Sequence, residues 1–158
     1  MGDVVEGEFH VIGVERVAIV EGYALAQFDG VFQTVLADFP AFGKARRQVA
    51  VDVALANLRA NDLEGRVKCV EAAGFDHPEL HSAAPFDLVF ANILKGPLVA
   101  LAPDLAAHTA SDGYAILSGI LNEQADAVIS VYAQNGFNLI VRDEIVEWTT
   151  LTLQKNRA

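Results

Sequence analysis

Residues 86–121 read FDLVFANILKGPLVALAPDLAAHTASDGYAILSGIL, a segment that predicts a strand, a helix and a second strand. Its first apolar run, residues 86–91, is short and nearly unbroken, as is typical of a strand covered on both faces of a parallel sheet. Pro97 suits the first turn of a helix. Ligands of open α/β sheets bind beyond the carboxyl ends of the strands, so Asn92, just past this run, is a candidate site residue.

The same alternation of strand and helix patterns continues on both sides of this segment. Besides residues 86–91 and 114–118, the patterns predict a strand over residues 66–71, helices over 44–61, 97–110 and 123–135, and a polar connection over 76–85. Asn122 is expected to cap the helix over 123–135.

The carboxyl-terminal segments break this rhythm. Residues 138–144 and 147–153 are both rich in β-formers and no helix separates them, so they are expected to pair as an antiparallel hairpin. The predicted fold class is therefore α/β, a three-layer sandwich with a mostly parallel sheet that a carboxyl-terminal antiparallel hairpin closes.

The chain is expected to form a single domain, residues 1–158, in which residues 44–154 are the regular core and residues 1–43 diverge from the pattern. Residues 14–20 predict a strand. Residues 24–36 suggest a helix interrupted at Asp29-Gly30, and residues 38–43 should break it.

Charge and composition narrow the classes of partner. The formal net charge of −10 opposes binding to nucleic acid phosphates and favours a cationic protein or an amine. Mean hydropathy is +0.30, yet no apolar stretch approaches the ~20 residues that span a bilayer. The acidic start, MGDVVEGE, lacks the features of a signal peptide, which predicts a cytoplasmic protein without a membrane partner.

Residues 49–153 resemble the catalytic domain of the methyltransferases that modify ribosomal large-subunit protein eleven, which are class I, Rossmann-like enzymes. Four stretches carry this resemblance: VAVDVALANLRAND at 49–62, FDLVFANILKGPLVALAPDL at 86–105, SGIL at 118–121 and NGFNLIVRDEIVEWTTLTL at 135–153. The resemblance implies transfer of a methyl group from S-adenosylmethionine to an amino group of a basic ribosomal protein. The oligomeric state is not predicted.

The resemblance also implies that Asn92 lies at the cofactor site, beside the methyl-transfer position. A side-chain amide carries both an acceptor and donors, so it can hold the cofactor and accept a hydrogen bond from the attacking amine. Ala91 would share the cofactor side of the site. Ile93, Leu94 and Lys95 would lie on the substrate side.

Gly74 and Phe75 are further cofactor candidates. They follow the strand over residues 66–71, where class I methyltransferases often place an acidic residue near the adenine. Backbone contacts or stacking by the Phe75 ring would serve there, and a loop without any cofactor role is the alternative reading.

Two departures from the family pattern leave alternatives open. Residues 20–24 contain one glycine, Gly22, where the family has a glycine-rich loop. By spacing, residues 45–48 (ARRQ) replace the acidic residue that binds the ribose, and Asp38 would serve only if about ten residues are looped out. The alternatives are a catalytically inactive or cofactor-free truncated remnant of this family, and a methyltransferase for a small amine.

Two other sequence features are interpreted as structural and not as functional sites. His77 and His81 are spaced like a metal pair, but they lie in a polar connection and are expected on the surface, so no metal is predicted. Cys69, the single cysteine, lies in an apolar run and is expected to be a buried small side chain rather than a catalytic thiol.

Overall fold

The computed structural model describes residues 17–20, 32–37, 44–62, 64–65 and 67–157. In chain order, the strands of this described part are β1 (Val17–Val20), β2 (Phe32–Ala37), β3 (Val67–Ala72), β4 (Phe86–Asn92), β5 (Thr109–Leu121), β6 (Phe137–Ile145) and β7 (Trp148–Lys155). The helices are α1 (Lys44–Ala60), α2 (Pro78–Ala83), α3 (Lys95–His108) and α4 (Ala125–Gln134), and a 3₁₀ turn at Asn122–Gln124 precedes α4.

The described strands form one sheet in the order β3-β2-β1-β4-β5-β7-β6. All pairings from β3 across to β5 are parallel, whereas β7 runs antiparallel to both β5 and β6. The prediction of a mostly parallel sheet with a carboxyl-terminal antiparallel hairpin is confirmed. The strand order reverses between β1 and β4, and such a switch point opens a crevice beyond the strand ends.

The core is built around β4, which lies between β1 and β5. Four of its side chains are buried: Phe86, Leu88, Val89 and Ala91. Helix α3 contributes its own buried stripe at the i, i+3, i+4, i+7 spacing of one helix face: Leu98, Leu101, Ala102 and Leu105. All of these side chains except Leu88 belong to a single hydrophobic cluster, so the start of α3 is fixed relative to the end of β4.

A buried hydrogen bond joins α4 to α3. The Tyr132 hydroxyl, fully buried, donates to the Leu98 carbonyl oxygen at 3.0 Å. The Tyr132 ring also packs against Phe137 at the start of β6, with ring centroids 5.8 Å apart. Burial raises the pKa of Tyr132, so this hydroxyl keeps its proton as a donor.

Several predicted elements need correction. Residues 32–37 form β2, so the helix suggested over 24–36 is wrong there, because pairing with β1 and β3 decides the conformation of this short segment. Residues 21–31 lie outside the described residues. Residues 45–48, which align by spacing with the family's ribose-binding position at a strand end, lie in α1, in agreement with the helix predicted over 44–61. β2 instead ends at Ala37, one position before Asp38, which is itself outside the described residues.

Smaller corrections concern the connections. Residues 78–83, expected as a polar connection, form α2, and the Nδ1 atom of His77 accepts a hydrogen bond from the Glu79 N–H at 3.2 Å. Helix α3 begins at Lys95 and β5 begins at Thr109, so the helix predicted over 97–110 is displaced by two residues at each end.

Replacing Tyr132 with Phe should lower the free energy of unfolding by about 1 kcal/mol. The substitution removes one buried hydrogen bond and keeps the ring that packs on Phe137. Urea denaturation followed by circular dichroism measures this difference. An unchanged unfolding midpoint would show that the bond to Leu98 does not stabilise the fold.

Candidate functional site

An open pocket of about 500 Å³ lies where β4 and β5 end their parallel pairing. In that pairing Asn92 is the partner of Ser118. The lining combines the end of β4, the bulged part of β5 and the start of β7: Asn92, Ile93, Leu94, Ser118, Gly119, Trp148, Thr149 and Thr150. Three of the sequence-predicted site residues, Asn92, Ile93 and Leu94, are thus brought together in this pocket.

Asn92 is the last residue of β4, and its side chain is exposed at the pocket. The N-cap residue of α3 is Leu94, whose apolar side chain makes no capping hydrogen bond. Turn-capping, the ordinary use of an Asn before a helix, is therefore not the role of Asn92. The residues on either side of Asn92, Ala91 and Ile93, are buried. Leu94 is 68% exposed and therefore offers an apolar surface beside the Asn92 amide.

Gly119 makes room for the Asn92 amide. A Cβ atom at Gly119 would lie 2.9 Å from Asn92 Oδ1 and 3.0 Å from the Ile93 carbonyl oxygen. Gly119 also has a φ of +81°, in the region that side chains disfavour. The register of β5 with β7 shifts between Leu117 and Ile120, so the glycine lies in a bulge. This bulge lets the end of β4 approach β5 closely.

The third wall of the pocket comes from the hairpin of β6 and β7. Trp148 is half exposed and lines the pocket. Asn122 does not cap α4 as expected; Gln124 occupies that position. The Asn122 side chain instead donates to the Val146 carbonyl at 2.9 Å and accepts from the Thr149 hydroxyl at 2.8 Å.

The remaining sequence-predicted candidates are not among the residues that line this pocket. Phe75 is 1% exposed and stacks on His108 at 4.5 Å, so its ring is a core side chain. Gly74 precedes it with a φ of +62°, and a Cβ there would lie 3.2 Å from Leu101. Lys95 is half-buried at the first position of α3.

No group of three or more potential metal ligands gathers among the residues that the structure describes. His81 stacks on His108 with ring centroids 5.4 Å apart. None of the helices within the described ranges is long and apolar enough to cross a membrane.

Comparison with known proteins identifies the family. The sequence profile of the family described as ribosomal protein L11 methyltransferase (PrmA) matches residues 34–156. The chain belongs to this family. Its relatives include the ribosomal protein L11 methyltransferases of Mesorhizobium japonicum, 44% identical over 75% of this chain, and of Brucella suis, 43% identical over 64% of it. The chain spans only 41% and 35%, respectively, of the length of these two relatives.

Solved structures support the fold. A ribosomal protein L11 methylase from Lactobacillus delbrueckii subsp. bulgaricus superposes with a TM-score of 0.73 and 19% identity, covering 94% of this chain and 73% of its own. A methyltransferase from Pyrococcus furiosus gives a TM-score of 0.66 at 14% identity, covering 92% of this chain and 76% of its own. The class I methyltransferase fold predicted from the sequence is confirmed.

Sequence reasoning missed Gly119 and assigned Asn122 the wrong role, although both residues shape the pocket of this L11 methyltransferase family member. Gly119 had a usable signal, because a glycine inside a strand pattern often marks a bulge or a close backbone approach. Asn122 had none, since its side-chain partners Val146 and Thr149 are 24 and 27 positions away in the chain.

Replacing Gly119 with Ala should lower the free energy of unfolding by about 1–2 kcal/mol, the cost of a left-handed conformation at a residue with a Cβ. Gly96→Ala is the matched control, because Gly96 lies in α3 and a Cβ there would meet nothing within 4 Å. We expect Gly96→Ala to be neutral or slightly stabilising in denaturant titrations. Equal destabilisation by both variants would contradict the role assigned to Gly119.

Cys69 should react slowly with alkylating reagents. Cys69 is half-buried on β3, and burial raises the pKa of its thiol above the ordinary value. The thiolate is the reactive form, so the pH midpoint of iodoacetamide labelling should be higher in the folded chain than in urea, where it should be about 8.5. Identical midpoints in the two states would contradict this burial effect.

The raised pKa of the Cys69 thiol also determines the direction in which the free energy of unfolding changes with pH. Because the folded state holds the Cys69 proton more tightly, the contribution of this thiol is fully present below pH ~8.5 and is lost as the pH rises through the folded pKa.

Proposed function

We propose that this chain catalyses transfer of a methyl group from S-adenosylmethionine to an amino group of a protein. The observation that carries the proposal is the exposed Asn92 amide at the end of β4, set in the pocket against Gly119 and flanked by Leu94. A side-chain amide at the switch-point edge of a class I fold suits a site that must hold a cofactor and orient an amine.

The space and chemistry around Asn92 fit the cofactor. When bound, S-adenosylmethionine supplies a methyl group on a positively charged sulfur. Asn92 Oδ1 accepts a hydrogen bond from the amine and aims the nitrogen lone pair, and alignment of this kind accounts for a large part of the barrier reduction in group transfer. The amine must lose a proton to the solvent before its nitrogen attacks the methyl group, because the ammonium form has no free lone pair.

Several other residues are proposed for the cofactor. Ala91 and Gly74 would contribute backbone contacts, and Phe75 would contribute its backbone alone because its ring is packed in the core. Asp38 follows β2 directly in sequence, so we propose it for the ribose hydroxyls in place of residues 45–48. Ile93, Leu94 and Lys95 are proposed for the substrate side.

The proposed acceptor is a basic ribosomal protein, L11, as the names of the two relatives indicate for those proteins. The net charge of −10 suits a cationic partner. The cytoplasmic location expected from the sequence stays a prediction.

A second candidate is a protein that keeps the fold without catalysis. The single glycine in residues 20–24 motivates it, because a glycine-rich loop lets the cofactor approach the backbone. Cofactor binding separates the two candidates. A small-amine methyltransferase would instead bind cofactor and methylate free amines in preference to protein.

S-adenosylhomocysteine at a hundred times its dissociation constant should add ~2.7 kcal/mol of stability, measured as a shift of the melting temperature. If millimolar S-adenosylhomocysteine neither shifts the melting temperature nor produces a heat of binding, the result favours the non-catalytic candidate.

Asn92→Ala should abolish methyl transfer to L11, measured with radiolabelled cofactor, and leave the melting temperature of the free protein unchanged because Asn92 is exposed. Asn138→Ala is the matched control, an exposed Asn at the far end of the hairpin, where it bonds Asn156. Full turnover by Asn92→Ala would remove Asn92 from the mechanism.

A further inference from the structure

Asn122 uses four polar groups to hold the turn that joins β6 to β7. Its backbone N–H donates to the Glu147 carbonyl at 3.0 Å, and its side-chain amide donates to the Val146 carbonyl at 2.9 Å. Its side-chain oxygen accepts from the Thr149 hydroxyl at 2.8 Å, and its own carbonyl accepts from the Arg142 guanidinium at 3.2 Å. The residue that follows β5 is thus bonded to the turn at Val146 and Glu147 and to the two flanking strands at Arg142 and Thr149.

The turn that Asn122 holds, residues 145–148, is here called the hairpin tip. Its apolar side chains are turned outward: Ile145 is 73% exposed, Val146 85% and Trp148 50%. Val146 also has a φ of +58°, a conformation that costs free energy for a β-branched residue. An exposed apolar group in a strained turn is unfavourable for folding alone, and such patches mark interaction sites.

The charge around the hairpin tip is strongly negative. Between residues 121 and 149 the carboxylates are Glu123, Asp126, Asp143, Glu144 and Glu147, against a single cation. That cation, Arg142, is bound to Asp126 at 2.7 Å and to Glu144 at 2.6 Å. The surface beside the pocket therefore attracts positively charged molecules and repels a second copy of this acidic chain.

We propose that the hairpin tip is the acceptor-side wall of the pocket, where Trp148 contacts a lysine side chain of a cationic polypeptide, and that Asn122 is the positioning residue that holds this wall. The inference rests on the proposed function and deepens it, because it assigns the recognition of the acceptor to the hairpin and not to the strand ends that hold the cofactor.

The chemistry of a lysine side chain matches this wall. Its aliphatic stem packs on apolar surface while its nitrogen reaches the polar end of the pocket, so Leu94 and Trp148 suit the stem and Asn92 suits the nitrogen. A lysine that approaches as the cation is attracted to the indole face. The surrounding carboxylates attract the other basic residues of the polypeptide.

Trp148 reports on this wall directly because it is the single tryptophan of the chain. Its fluorescence is measured during titration of the full chain, saturated with S-adenosylhomocysteine, with a lysine-rich peptide. The same peptide acetylated at every amine, and butylamine, are titrated in parallel. We expect the unmodified peptide alone to change the emission strongly, with an affinity that falls as salt is added.

Substitutions at Asn122 and Thr149 test whether peptide binding depends on the bonds that hold the hairpin tip or only on the general stability of the fold. Asn122→Ala should weaken binding of the lysine-rich peptide by about tenfold or more, increase acrylamide quenching of Trp148, and leave S-adenosylhomocysteine affinity unchanged. Thr149→Val should act in the same direction and Thr149→Ser should restore binding, since only the serine keeps the hydroxyl. Asn138→Ala should match the parent chain in every measurement.

In methyl-transfer assays, Trp148→Ala should raise the KM for the protein acceptor more than it lowers kcat, and Trp148→Phe should recover most of the loss. Urea denaturation confirms that each variant is folded before it is compared.

The possible outcomes separate the inference from the proposed function. An emission that does not respond to the peptide, or an Asn122→Ala variant that loses peptide and S-adenosylhomocysteine affinity equally, overturns the inference. Equal responses to butylamine and peptide overturn the polypeptide acceptor. Failure of S-adenosylhomocysteine to bind overturns the proposed function, and the peptide titration of the free chain then still decides whether the hairpin tip binds cationic polypeptides.

Discussion

The pocket depends on the burial of β4 between two parallel neighbours. β1 pairs along one edge of β4 and β5 along the other, so the backbone hydrogen bonds of this strand are made inside the sheet. Four of its side chains are buried in the core before Asn92, where the chain leaves the sheet and α3 begins three residues later. The apolar stripe of α3 then fixes the direction of the exit.

The end of β5 takes part in two pairings, one with β4 and one with β7, and the bulge at Gly119 lies where the pairing with β4 ends. Up to Ser118 this strand continues the parallel pairing with β4, whereas its last residues, Ile120 and Leu121, pair only with β7. Because Gly119 has no side chain, the Asn92 amide oxygen and the Ile93 carbonyl oxygen can lie only about 3 Å from the point where a Cβ atom would stand. The same strand then places Asn122 beneath the hairpin tip. One bulge therefore joins the parallel and the antiparallel parts of the pocket.

The sequence predicted the elements whose signals are local. The apolar run of β4, the glycine-proline opening of α3 and the two β-rich segments of the hairpin are all visible within short windows, and all three are present. β2 was not predicted, because FQTVLA carries a mixed pattern and becomes a strand through its pairing with β1 and β3. The Asn92 position followed from the strand end and the family resemblance, and its catalytic role stays a prediction.

The role of Asn122 shows where local reasoning fails. An Asn before a helical pattern is most often a cap, and capping requires a partner two or three residues away. Here the hairpin supplies better partners in three dimensions, so the amide bonds across to Val146 and Thr149. A pattern that is correct for an isolated helix is overruled once β7 lies against β5.

The two sides of the pocket, the end of β4 and the hairpin tip, differ in how strongly the fold constrains their residues. Ala91 and Asn92 belong to a central strand whose position the whole parallel sheet constrains, so the end of β4 tolerates little variation. The hairpin tip is held by Asn122 and by the pairing of Trp148 with Leu121, and its apolar side chains face outward. Substitutions at Ile145 or Val146 can therefore alter the surface offered to an acceptor at little cost to the core. Residues on the cofactor side and residues on the acceptor side can thus change almost independently of each other. Gly119 constrains both sides.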